Sequence, residues 1–127
     1  MQNQKSAIGL DGNVTALIGY LVGIVALVLI FIEKDNRFVR FHAIQSVLWG
    51  FGIAILWIVI IVVGIILGFG LAMISSTLAW LVWMIFILVY FALFFALFGG
   101  LIFGAIKSYQ GQMFKLPIVG SMAEKWT

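Results

Sequence analysis

The residues with reactive or ligand-binding potential crowd between positions 33 and 46: Glu33, Lys34, Asp35, Asn36, Arg37, Arg40, His42, Gln45 and Ser46. Five of the eleven charged side chains and the only histidine fall there, between two long apolar runs. Glu33 and Asp35, one residue apart, have the spacing of an acid pair or a metal site. Lys34 and Arg37 flank them and no nucleophile or further base accompanies them, so ordinary ion pairing is the expected use. His42, Gln45 and Ser46 stand at i, i+3 and i+4 on one helical face. They could line a polar pocket, or His42 could titrate near neutral pH. The plainer expectation is that all three lie at a membrane interface, bonded to headgroups, water or the Glu33–Asn36 turn. A lone histidine without cysteine or further histidines is a poor zinc site, and the chain has no cysteine. No catalytic residue, cofactor or metal is therefore expected, and the chain reads as non-enzymatic.

Composition says what must surround this stretch. Hydrophobic residues make up 65% and charged residues 9% of the 127, where a soluble domain carries roughly a quarter charged. A mean hydropathy of +1.29 points the same way, to a single all-α domain over residues 1–127 built of helix on helix in lipid. The net charge is +3, and its cations adjoin apolar runs. Anionic lipid headgroups are the expected contacts, and no nucleic-acid motif is present.

Taken in order, residues 1–13 are polar, and Asp11 argues against a cleaved signal. The apolar run of residues 14–32 then reads as a retained first span, roughly 28 Å at ~1.5 Å per residue, with Asn13 placed to cap its start. Residues 33–42 form a loop in which Asp35 or Asn36 can cap the next helix. Arg37 and Arg40, three apart, would reach phosphates while Phe38 and Phe41 enter the acyl boundary. A second span covers about 43–69, ending at Gly68-Phe69-Gly70. The trio Ser75-Ser76-Thr77 reverses the chain, and a third span covers about 78–106. The tail, 107–127, carries apolar anchors, Phe114, Pro117 and Trp126 foremost, and Ser121 and Glu124 stand at capping-box spacing. It reads as a short interfacial helix. Trp80 and Trp83 suit an aromatic belt, and Trp57 suits packing between helices.

Three spans place 33–42 and the tail on one side, with Lys34, Arg37, Arg40, Lys107, Lys115 and Lys125 against Lys5 alone opposite. The positive-inside rule makes that side cytoplasmic. The expected architecture is a three-helix integral membrane bundle, amino terminus outside and carboxyl terminus inside, multi-pass in the inner (cytoplasmic) membrane. Within the spans, small residues recur every fourth position: Thr15, Gly19, Gly23; Gly64, Gly68; Ala92, Ala96, Gly100, Gly104, Ser108. Gly19, Gly23, Gly64, Gly68, Ala96, Gly100 and Gly104 are accordingly expected to pack helix on helix. The same faces would suit a homo-oligomer or another membrane-protein partner. From Val47 to Ile106 only Tyr90 is ionisable, which argues against a proton-coupled pump.

Three blocks also carry a family resemblance: Gly9 to Val14; Glu33 to Ser46; and Tyr109-Gln110-Gly111 through Phe114-Lys115-Leu116-Pro117-Ile118 to Ala123-Glu124-Lys125. The chain resembles a family of small prokaryotic membrane proteins of unknown function that has been likened to the Tic-twenty component of the chloroplast inner-envelope import translocon. The resemblance implies a helical integral membrane domain and an accessory role in protein translocation or membrane-protein assembly. The alternative is a small oligomeric channel or transporter subunit. Glu33, Asn36, Arg37, Arg40, Phe41, His42 and Gln45 would form its cytoplasmic interfacial motif.

Overall fold

The computed structural model describes residues 4–127 and is all helical among them. It contains α1 (Gly12–Leu21), α2 (Gly23–Ile32), α3 (Arg37–Ala72), α4 (Ser76–Tyr109) and α5 (Val119–Lys125). Two of these, α3 and α4, are long and apolar enough to cross a membrane. The chain divides into two units. One joins the chain up to Gly50 with Phe98–Thr127, and the other is Phe51–Leu97.

The expected first span is corrected. Residues 14–32 do not form one helix; the chain breaks at Val22, whose backbone is extended (φ −125°, ψ 99°), and α2 folds back on α1. Gly19 lies against Ala26 and Leu29, with room for no more than a methyl group between. The two ends of the hairpin meet: the Ala7 amide donates to Glu33 Oε2 at 2.6 Å, and Asn36 Nδ2 donates to the Gln4 carbonyl at 3.0 Å. Residues 4–11 therefore lie beside 33–36 and not a membrane thickness away, which removes the expected crossing between them. Each arm is about 15 Å long at ~1.5 Å per residue. Hydropathy cannot separate a span from a hairpin of equal apolarity, because both satisfy their backbone internally.

Around the hairpin the first unit packs Ala16, Ala26, Leu29, Phe38, Val39 and Ala43 into one buried cluster, and Phe41, Ile44 and Ala123 into a second. Asn36 caps α3, its Oδ1 accepting from Val39 N at 3.3 Å. Asn13 does not cap α1; its Nδ2 donates to the Tyr109 carbonyl at the end of α4. Gly111 (φ 80°) ends α4 in a left-handed conformation, which glycine adopts without steric cost.

In the second unit α3 runs through Gly68 and Gly70, past the stop expected there, to Ala72. Glycine costs a helix roughly 1 kcal/mol, but a chain in lipid has no other partner for its amides, so the helix continues. Ser75 then caps α4, its Oγ accepting from Leu78 N at 3.4 Å. Gly64 and Gly68 form slots for aromatic rings. A β-carbon at Gly64 would come within 2.8 Å of Phe86, and one at Gly68 would overlap the Trp83 indole. Trp83 is thus a packing residue and not the belt residue expected, whereas Trp80 is exposed. Trp57, Ile87, Tyr90, Phe91 and Phe94 line an apolar cavity of about 220 Å³.

Candidate functional site

The polar residues singled out by spacing converge in the first unit, but inside the protein and not at its surface. Glu33, Asn36, His42, Gln45 and Ser46 are all buried. The first turns of α3 hold His42, Gln45 and Ser46, with α1 on one side and the segment after Gly111 on the other, while Glu33 and Asn36 lie in the turn before α3. His42 Nε2 contacts the Gln112 carbonyl at 3.0 Å. A carbonyl oxygen only accepts, so Nε2 carries the proton. In a neutral imidazole Nδ1 then accepts, here from the Tyr20 hydroxyl at 2.7 Å. Tyr20 in turn accepts from Gln45 Nε2 at 2.7 Å. The second Nε2 hydrogen of Gln45 goes to the Phe114 carbonyl at 2.9 Å, and its Oε1 accepts from Leu116 N at 2.8 Å.

One side chain thus binds the backbone of two tail residues, Phe114 and Leu116, while a Gln45–Tyr20–His42–Gln112 chain ties α1, α3 and the tail together. Ser46 Oγ adds a bond to the Gly19 carbonyl at 3.1 Å. Among the described residues every buried side-chain nitrogen and oxygen has a partner. Such a network specifies one arrangement of its elements, since any slip strands several polar groups at once. Chemically it is occupied: both imidazole nitrogens and the phenol hydroxyl are bonded within the protein.

The remaining motif residues hold the hairpin base. Glu33 is buried, and its carboxylate accepts from the backbone amides of Ala7 and Asn36 in place of the expected ion pair. Arg40 does not reach outward to phosphate. Its Nη1 donates to the Ile30 and Glu33 carbonyls at 2.9 and 3.0 Å, covering the carboxyl end of α2, where a cation also suits the helix dipole. Phe38 and Phe41, expected in the acyl boundary, are buried edge-on against the His42 ring, with centroids 4.6 and 5.0 Å away. Arg37 stays exposed.

Gly100 and Gly104 face aromatic rings as their counterparts in the second unit do: Trp49 lies over Gly100 and Tyr20 over Gly104. Gly23 faces open space, and Ala96 is half-buried. In the tail, Phe114 packs edge-on against Phe103 at 4.9 Å, while Pro117 and Trp126 are exposed. The buried tail anchors are Leu116 and Ala123. The expected capping box is absent: Ser121 Oγ donates to the Ile118 carbonyl, and Glu124 pairs with Lys115. That lysine holds the Glu124 carboxyl below the usual carboxylate range, first by a hydrogen bond and then by its charge. Spacing alone missed Tyr20 and Gln112. Tyr20 did leave a signal, since a hydroxyl in the middle of an apolar run needs a partner.

The relatives are membrane proteins throughout. A UPF0132 membrane protein of Methanocaldococcus jannaschii is 30% identical over 125 residues, covering 97% of this chain and 94% of its own. A second from that organism is 29% identical over 94% of this chain and 73% of its own. One from Archaeoglobus fulgidus is 30% identical over 89% and 92%. No solved structure matches. Residues 5–123, nearly the whole chain, match the magnetosome magnetite crystal formation protein family (MamF/MmsF), and this membrane protein belongs to that family.

Proposed function

We propose that this protein is a non-enzymatic organiser in the inner (cytoplasmic) membrane, acting through helix contacts and a folded polar head. The observation that carries this is the closed bonding of the head: His42, Gln45 and Glu33 are spent on tail and hairpin backbone, and the Tyr20 hydroxyl on His42 and Gln45. The family description speaks of magnetite crystal formation. The scaffold reading proposed for this chain rests instead on its helix contacts and on the bonded head. Its finer form, an accessory to protein translocation or membrane-protein assembly, rests on the Tic-twenty likeness of the three sequence blocks.

All seven cations and all four acids lie outside Phe51–Leu97. With the hairpin ends side by side, Lys5 joins the other cations, so the positive-inside rule favours both termini in the cytoplasm. This replaces the outside amino terminus expected from three crossings. Anionic lipid headgroups are the expected neighbours of Lys34, Arg37, Lys115 and Lys125.

Site-specific photocrosslinking from exposed Met113 and Lys125 tests the function. Adducts with translocon subunits or nascent membrane proteins support it. Adducts with a second copy alone, reproduced from Leu88 and Phe95, favour the oligomeric channel or transporter subunit and overturn it. Impermeant thiol labelling of single Lys5→Cys, Asp35→Cys, Ser76→Cys and Ser121→Cys variants tests the orientation. The first, second and fourth should react from the cytoplasm and Ser76→Cys from the other side.

A further inference from the structure

Neither the family nor the organiser reading accounts for the dimensions of the α1–α2 hairpin. Its arms of ten residues reach about 15 Å, half of the ~30 Å hydrocarbon thickness. Its base is polar: Lys5 pairs with Asp11 at 2.7 Å, and Glu33 and Asn36 hold the backbone of residues 4–7. Its tip is Leu21-Val22-Gly23-Ile24, with Leu21 63% and Ile24 75% exposed. Down the outer face of α2 the exposure stays apolar, through Leu27, Val28 and Phe31. Water cannot cover such a face without large cost, and the polar end rules out a crossing.

We propose that the hairpin is a one-leaflet insertion. It enters from the side of the charged residues, turns at Val22 near the bilayer midplane, and displaces acyl chains in that leaflet only. At the break itself the backbone of Val22 is satisfied, its amide donating to Ile18 O at 2.8 Å and its carbonyl accepting from Val25 and Ala26, as burial in hydrocarbon requires of each polar group. Three fastenings keep the arms from opening into a span: Ser46 to the Gly19 carbonyl, Tyr20 to His42, and Gly19 against Ala26. Area added to one leaflet is accommodated best where that leaflet is convex, as for amphipathic insertions. The partner surface is therefore a curved lipid bilayer, with the charged side of the protein on its convex face.

The test uses the full chain, whose lack of cysteine lets a single fluorophore be placed on a Val22→Cys variant in lipid vesicles. Quenching should be strongest by lipids spin-labelled deep in the acyl chain. Stronger quenching by headgroup-labelled lipids overturns the insertion. The protein is then inserted from outside into preformed phosphatidylcholine–phosphatidylglycerol vesicles of mixed size. Its density per unit lipid area should be roughly twofold or more higher on the smallest vesicles than on the largest. A Leu21→Ala, Ile24→Ala, Phe31→Ala variant removes exposed bulk without touching the core and should bring that ratio towards one at unchanged helicity. Equal density on all sizes overturns the proposal. So does a triple variant that changes oligomeric state but not size preference, because a second copy would then cover this face. The crosslinking partners that decide the organiser reading are unaffected by either result.

Discussion

Replacing Gln45 with leucine should release the tail without unfolding the protein. Leucine fills a similar volume and offers no bond, so three contacts go: to Tyr20 Oη, Phe114 O and Leu116 N. Tyr20 keeps its bond to His42, which leaves two orphans, the Leu116 amide and the Phe114 carbonyl. Each buried orphan costs about 1–3 kcal/mol. The full cost is never realised, because the tail can swing away and hydrate both groups once the penalty exceeds what docking returns. The expected loss is therefore about 2–4 kcal/mol in tail docking, or a population of undocked tail raised roughly 30-fold to several hundredfold at 1.4 kcal/mol per tenfold. Native-state hydrogen exchange in lipid nanodiscs reads this at the Leu116 amide, with Val39 on α3 as an internal reference. Leu116 should exchange faster by that factor while Val39 holds its rate. If both amides keep their parent rates, Gln45 is not what fastens the tail. If both accelerate together, the head and tail form one cooperative unit and the argument for local release fails.

Gly100→Ala would drive a methyl group into the Trp49 indole, whereas Gly99 faces open space. The first should cost about 1–3 kcal/mol in detergent unfolding, and Gly99→Ala should be neutral or slightly stabilising; equal effects would remove the aromatic slot as an explanation. Ile118 holds φ 66° while 82% exposed, an unfavourable region for a β-branched residue. Ile118→Gly should therefore slow tail exchange, a gain of about 1 kcal/mol, and faster exchange would refute the strain. The Lys115–Glu124 pair is exposed and depresses the Glu124 carboxyl. Its contribution is present above the unfolded carboxylate value and lost as pH falls through the lower folded one. Acid titration of Trp126 fluorescence should show a tail transition in that window, and Lys115→Gln should move it to higher pH; no movement would show that the pair does not govern the tail.

The two long helices were legible because apolar length is a one-dimensional property, recorded residue by residue from Ala43 to Phe69 and from Leu78 to Ile106. The hairpin was not. Val14 to Ile32 contains no proline and no charge, and what bends it lies elsewhere in the chain: Ser46, His42 and Gln45, more than twenty residues on. The site was half legible for the same reason. Helical spacing put His42, Gln45 and Ser46 on one face, but nothing local told whether that face met headgroups or the backbone of residues 112–116. Arg40 and Phe41 were misplaced outward because an arginine that caps a helix and one that binds phosphate have the same sequence signature.

Glycine carries a further distinction that spacing alone cannot make. Fourfold stripes of small residues usually suggest two backbones in close approach. Here Gly64, Gly68, Gly100 and Gly104 each face an aromatic side chain instead. Helices gain no hydrophobic drive from meeting in lipid, so what holds them is contact area and dispersion. A ring laid across a glycine supplies more of both than two glycines touching. The charged unit can add hydrogen bonds to that account through Gln45, His42 and Arg40, whereas Phe51–Leu97 has no charged residue and sets rings into slots at Gly64 and Gly68. Mutations that fill a slot should therefore loosen the second unit more than the first, where the polar lock still holds the elements in register.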